Sequence, residues 1–438
     1  MNSLIIFQKA EDCLQDATDF LEQGRYEASV NRAYYSIFHC IQVLLWIENI
    51  HTKSHEGAHN QFRLKYIKTG IFPLDSNVWL QKSYEKRRFS DYDYDDIISE
   101  EANESVENAK NFFNITYQFL SQNSHLSMNY IKAFAPATVA NVACGFDIFG
   151  FALDEPGDIV ELRKRDMPGI IIKDIIGDEG RLPREPERNA VSVVMLKFLE
   201  HIGSQQGIEV TLHKNMPLGS GMGSSSASSV VGIFAINELL GRPLTQRELL
   251  PFAMEGERIA CGAAHADNVG PALLGGFVVI RSYSPLDVFK VKVPDELFCT
   301  LVHPDVEVNT KDARYILRNE VSLKNTISQM GNVAGLIAGL MQEDYDLVSR
   351  SMVDVIIEPV RSILIPEFDH VKQAALDSGA LGCSISGAGP SMFALSRGRD
   401  TAERVAKTMS EAFGSVGITT KSYVSQINQQ GPKVLETA

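Results

Sequence analysis

The run MPLGSGMGSSSASSVVGIFAINELLG, residues 216–241, holds the residues whose types and spacing say most about chemistry. Pro217 and Leu218 open it after a strand-like stretch. Gly219, Gly221 and Gly223 then alternate with Ser220 and Met222, and Ser224, Ser225, Ser226 and Ala227 lead into an amphipathic helix. Glycines let a backbone approach a ligand closely and adopt positive φ. Serines cap a helix and can also meet phosphate oxygens. The helix start adds free N–H groups and the positive end of its dipole. Together these make a nest for a polyphosphate. The run lacks the lysine of G-x-x-x-x-G-K-[ST], so it is not a Walker loop. No acidic residue follows at the end of a next strand about twenty residues on, as a dinucleotide fingerprint requires. A bare Gly/Ser run is as often a flexible loop before a helix. The strand, the proline and three spaced glycines favour the phosphate reading.

Other candidates lie on either side. Glu257, in EGERIACGAAHADNVGP, offers a hard oxygen ligand suited to Mg²⁺, although a lone helical glutamate is usually a surface residue. Asp267 and Asn268 close that stretch and would otherwise read as a polar turn. Asn141 and Asp147 sit in ANVACGFDIFG, where Gly145 and short side chains imply a tight turn after the first strand. An amide and a carboxylate so spaced can both reach an amino-acid ligand, or simply form an Asx turn. Arg314 in NTKDARYIL and Arg361 in EPVRSILIP could each fork onto a carboxylate, while a single arginine is more often a solvated charge.

Three separated stretches together resemble one family. PLGSGMGSSSAS is similar to the second motif of the GHMP kinases, named for galactokinase, homoserine kinase, mevalonate kinase and phosphomevalonate kinase. APATVANVACGFDIFG (135–150) resembles their first motif in its homoserine kinase version, and SISGAGPSMFAL (384–395) their third. The motifs occur in the family's order, and the resemblance spans about 130–427.

The resemblance implies an α+β GHMP kinase fold with two lobes. A ribosomal protein S5-like lobe would occupy 128–290 and a ferredoxin-like lobe 291–438. It implies ATP bound by residues 217–227 and Mg²⁺ held by Glu257 with Ser225. Asn268, Glu257 and Asp267 take the catalytic positions. Asn141, Asp147, Thr310, Arg314, Arg361 and Gly387 take the substrate positions. The implied reaction is ATP-dependent phosphorylation of L-homoserine to O-phospho-L-homoserine in threonine biosynthesis, with another small hydroxylated acceptor as the alternative. Two arginines with Asp147 would recognise a zwitterionic α-amino acid rather than a sugar. Asn268 takes no proton at neutral pH, so catalysis would lean on positioning and electrostatics.

The elements that must hold these residues divide the 438-residue chain in two. Before a polar linker at about 121–129 the texture is all-α. Apolar residues recur at helical spacing over Leu4–Leu21, Ala28–Leu45 and Glu100–Phe119. After it, strand patterns (YIKAFAP, DIVELRKR, IEVTLHKNMP) alternate with helical ones, as in an α+β enzyme. Thr245 and Glu248 have capping-box spacing.

The first part, 1–127, resembles the HEPN superfamily through NRAYYSIFH, KSHEGAHNQF and RRFSDYDY. Ribonuclease members place a histidine shortly after an arginine, whereas Arg88 is followed by Phe89, Ser90, Asp91 and Tyr92, which argues against nuclease activity. His51, His55 and His59 would share a face only if helical, and Gly57 weakens that, so they read as packing or surface residues. HEPN domains self-associate, and aromatics at Tyr34 and Tyr35, if exposed, would support a homodimer.

A net charge of -14, from 41 Lys and Arg against 55 Asp and Glu, disfavours nucleic-acid binding. It also argues against the rival reading, a toxin–antitoxin module with a nucleotide-sensing C-terminal region. Six scattered cysteines without a C-x-x-C pair fit a reducing cytoplasm, and no apolar run is long enough to span a membrane.

Overall fold

The computed structural model describes residues 3–92, 97–122, 128–262, 264–308, 310–318 and 320–438. The side chains of 88–92 and 310–312 lie outside that description, which takes in the Arg88–Tyr92 and Thr310 expectations. The chain forms two compact units, Met1–Ser127 and Met128–Ala438.

The described residues of the first unit form five α-helices, α1 (Ser3–Glu22), α2 (Tyr26–Ile47), α3 (His55–Phe62), α4 (Leu74–Tyr92) and α5 (Ser99–Gln122), with a π-helical turn over Arg63–Ile67 after α3. Their apolar stripes meet in one core that includes Ile37, Ile41, Leu44, Phe62, Phe72 and Phe112. Helix α3 forms despite Gly57, because Ser54 caps it by accepting from the Gly57 N–H. His55 and His59 therefore share a face, and both meet the Tyr34 hydroxyl, at 2.7 and 3.2 Å. Tyr34 is fully buried, which corrects its expected role as an exposed contact. Burying a phenol requires a partner for its hydroxyl, and the two histidines supply it.

The second unit begins with β1 (Tyr130–Ala140), β2 (Phe149–Arg165), β3 (Ile170–Ile176), α6 (Ala190–His201), β4 (Gly207–His213), α7 (Ser224–Leu239), α8 (Leu250–Cys261), α9 (Val269–Leu274), β5 (Phe277–Tyr283) and β6 (Leu286–Val291). It continues with β7 (Leu297–Pro304), α10 (Thr310–Tyr315), α11 (Leu323–Gln342), α12 (Tyr345–Ser351), α13 (Glu358–Arg361), α14 (Phe368–Asp377), β8 (Gly382–Ile385), β9 (Met392–Arg397), α15 (Arg399–Gly414), β10 (Thr420–Gln426) and β11 (Lys433–Thr437).

Its first sheet runs β11-β1-β2-β4-β3, with β5 joining β2 to β6. Pairing is antiparallel except between β3 and β4. The second sheet runs β10-β7-β9-β8. In its own chain order that is strand 4-1-3-2 with helices between, the ferredoxin-like arrangement, and α14 and α15 cover its core. Strand β11 returns from the chain end to pair with β1 in the first sheet, although its residues fall in the segment expected for the second lobe.

Helix α7 carries an almost wholly buried sequence of small and aliphatic residues through the middle of the first lobe. That burial aims its N-terminus at the cleft. The Thr245 N–H and hydroxyl both reach the Glu248 carboxylate, at 2.8 and 2.7 Å, and start the short turn that leads into α8.

Candidate active site

The glycine loop enters α7 through three left-handed residues, Gly219, Gly221 and Gly223, at φ 65, 77 and 67°. At Gly223 a Cβ would lie 2.1 Å from Thr138 Oγ1 and 2.9 Å from Asn268 Oδ1. The first N–H of the helix to reach an acceptor is Ala227, which bonds Gly223 O at 2.8 Å. The N–H groups of Ser224, Ser225 and Ser226 precede it and have no acceptor within the helix.

The loop lines a cleft of about 580 Å³ with Ser224, Ser225, Ser226, Glu257, Asn268 and Gly387. Glu257 comes from α8 and is 5% exposed. The Ser226 hydroxyl is buried without a hydrogen-bond partner. One buried carboxylate, neighbouring hydroxyls and a phosphate nest form the donor set that Mg²⁺ takes alongside phosphate oxygens. Among the described residues no group of three or more His, Cys, Asp or Glu forms a protein-only cage. The single carboxylate of Glu257 with the neighbouring serine hydroxyls fits a metal whose other ligands are nucleotide phosphates.

Lys214, which the sequence motifs did not single out, anchors this helix start. Its ammonium is buried against the Asp158 carboxylate and donates to Ser224 O at 2.8 Å and Ser228 Oγ at 2.9 Å. Asp158 also accepts from Asn215 N and Ser228 Oγ, at 3.1 and 2.8 Å. The cluster ties β2, the end of β4 and the first turn of α7 together. Its only sequence signal was a lysine directly after a strand, in HKNMP.

The other two motifs close on the loop. Ser386 Oγ donates to Gly221 O at 2.7 Å, and Ser391 Oγ to Ser220 O at 2.6 Å. Gly387 N donates to Ala140 O at 3.2 Å. Between β1 and β2, Asn141, Val142 and Ala143 all have positive φ. For a β-branched valine that is strain, held by its surroundings.

Asn141 Nδ2 donates to Gly387 O at 2.8 Å, while its Oδ1 accepts from Asp147 N at 3.0 Å. Arg361 is 4% exposed and donates to the same Gly387 O at 3.0 Å and to Ala313 O at 3.2 Å. Arg314 and Asp147 pair through two contacts, 2.7 and 3.4 Å, so these two expected substrate ligands satisfy each other. Both guanidiniums lie over the Phe146 ring.

Asn268 Oδ1 accepts from Thr138 Oγ1 at 2.7 Å. Beside it Asp267 is buried, and one carboxyl oxygen has no partner. Burial first, then the Asp147 and Glu257 charges, push its carboxyl up to about 7. His265 lies 3.9 Å from Asp147, and burial lowers its pKa. Tyr283 donates to Asp147 O at 3.0 Å. His265 lies within the quoted EGERIACGAAHADNVGP stretch without being singled out there, and Tyr283 falls in no motif.

Residues 189–276 match the GHMP kinases N-terminal domain and 336–415 the GHMP kinases C-terminal domain. Residues 4–119 match the HEPN domain. The homoserine kinase of Chlorobaculum tepidum is 52% identical over 323 residues, covering 71% of this chain and 99% of that protein. The chain belongs to the GHMP kinase family. Another GHMP kinase, the homoserine kinase of Chloroherpeton thalassium, is 50% identical and matched over 70% of this chain and 100% of its own length. The crystal structure of homoserine kinase from Cytophaga hutchinsonii superposes with a TM-score of 0.69 at 58% identity, covering 70% of this chain and 98% of that one. The more distant mevalonate kinase of L. major, at 17% identity and a TM-score of 0.55, shares the GHMP kinase fold.

Proposed function

We propose that this GHMP kinase transfers the γ-phosphoryl group of ATP to the hydroxyl of L-homoserine, giving O-phospho-L-homoserine and ADP. One observation carries the reading. Gly387 and Asn268 belong both to the cleft of the phosphate loop and to the polar network of Asn141, Arg361 and Thr138. A phosphate nest and a cluster able to hold a zwitterion therefore adjoin.

In this reading the free N–H groups at the start of α7 and the glycine loop receive the phosphates. Glu257 and Ser225 would hold Mg²⁺, which when bound neutralises charge on the phosphates. Asp147 takes the ammonium of the acceptor, and Arg314 and Arg361 its carboxylate. Thr138 donates to Asn268 Oδ1, which leaves the Asn268 amide hydrogens to donate toward the reacting hydroxyl. An amide is no base, so the rate rests on alignment and preorganised charge, as a loose phosphoryl transfer allows. The same reading puts the step in threonine biosynthesis, in a reducing cytoplasm that suits buried free thiols such as Cys144 and Cys299.

The test is ADP release by the full chain with MgATP and homoserine, mevalonate, galactose or shikimate. Turnover with homoserine alone is expected. A preference for another acceptor would reassign the substrate within the family.

A further inference from the structure

Asp147 and Arg314 are 167 residues apart in sequence and meet as a two-contact ion pair. Asp147 is fixed by its turn. Its φ is 59°, its N–H donates to Asn141 Oδ1, and its carbonyl accepts from Tyr283. Arg314 rides on the six-residue helix α10, with a side chain 46% exposed against 25% for Asp147. Its guanidinium shares the Phe146 face with Arg361, at 5.7 and 5.1 Å from the ring centroid. Arg314 and Arg361 thus share one aromatic face.

We infer that this ion pair is a latch which only a ligand carrying both an ammonium and a carboxylate can open, so that recognition of the two substrate charges is cooperative. The inference rests on the amino-acid acceptor proposed above. A carboxylate alone must draw Arg314 away and leaves Asp147 uncompensated in a half-buried site. An ammonium alone takes Asp147 and breaks the pair without giving Arg314, the more exposed partner, a carboxylate in return. A zwitterion compensates both halves in one event. Each charge therefore contributes fully only when the other is present, as expected for groups sharing one network. The pair then acts against single-charge analogues as well as for the substrate.

The experiment is a cycle of four alcohols on the full chain with MgATP: L-homoserine, 4-hydroxybutyrate (no ammonium), 3-amino-1-propanol (no carboxylate) and 1-propanol (neither). Deleting either charge is expected to lower kcat/KM by on the order of 10²–10³-fold. Deleting the second should add less than about 10-fold, because the latch is already closed. In Asp147→Asn no latch exists, so homoserine turnover should fall while 4-hydroxybutyrate turnover rises above that of the unmodified chain. Multiplicative losses in the unmodified chain, or 4-hydroxybutyrate turnover not raised in Asp147→Asn, would overturn the latch while homoserine turnover stands. No turnover of homoserine would remove the acceptor assignment, and the latch with it.

Discussion

Asp267 is a buried carboxyl group, 4% exposed, with one unpartnered oxygen and two other carboxylates acting on it. Its pKa is raised from 3.8 to about 7, so between those values the folded chain holds a proton that the unfolded chain has released. Stability contributed by that proton is complete below about 4 and falls as pH rises to about 7. At full deprotonation the loss is up to about 4 kcal/mol, at 1.36 kcal/mol for each tenfold change in proton activity. Asp267→Asn keeps the shape and removes the titration. Thermal melts should coincide with the unmodified chain near pH 4, and the variant should gain steadily toward pH 7.5. Parallel melting curves across that range would count against a neutral, buried Asp267. At this scale the sequence revealed chemistry only where a motif framed it. Arg361 reads alone as a solvated charge, yet it is buried on two backbone carbonyls. The Asp147–Arg314 pair joins distant segments, and no local spacing encodes it.

The phosphate loop was legible as an element because its signals are local: a strand, a proline, alternating glycines and a serine-capped helix. The reason for each glycine is different, and only the tertiary structure supplies it. Around Gly219 nothing lies within 3.6 Å of an added Cβ, so Gly219→Ala should lose only the left-handed preference, about 1–2 kcal/mol. At Gly221 an added Cβ would meet Ser386 O at 2.5 Å and Gly389 O at 2.8 Å, which are backbone atoms of the β8–β9 turn. At Gly223 it would displace Thr138 Oγ1, the hydroxyl that holds Asn268. Gly221→Ala and Gly223→Ala should therefore each cost about 3 kcal/mol or more in urea unfolding. The KM for ATP should rise in all three, because each glycine lines the cleft that receives the phosphates, so the unfolding penalty is what separates them. Equal penalties at all three positions would mean that conformation alone, rather than close packing of the three motifs, makes glycine necessary. The left-handed run Asn141–Ala143 and the return of β11 to β1 carry no comparable local signal. Both are set by pairings across the fold.

Across the whole chain, the two units have separate cores. The helical unit buries its stripes in one cluster, from Ile6 on α1 to Leu120 on α5. The kinase unit closes on itself at both ends. Asn129 and Tyr130 donate to Ala438 O at 2.8 and 2.9 Å, which ties the residue after β11 to the start of β1. The loop, Glu257, the Asn141–Gly387–Arg361 network and the Asp147–Arg314 pair all come from residues after Met128. The homoserine kinases of Chlorobaculum and Chloroherpeton are matched over 99–100% of their own length by 70–71% of this chain. A chain beginning at Met128 keeps β1 paired with β2 and β11, because the pairing starts at Tyr130 and Ile131. It should therefore fold cooperatively and phosphorylate homoserine with kcat and KM within about twofold of the full chain, since every group placed in the cleft comes from residues after Met128. Residues 1–127 alone should give a helical circular dichroism spectrum with a single melting transition. Retained helical signal with a large drop in kcat for the shortened kinase would make the HEPN unit a regulator of the reaction. Unchanged kinetics would confine its role to something other than the chemistry of the cleft.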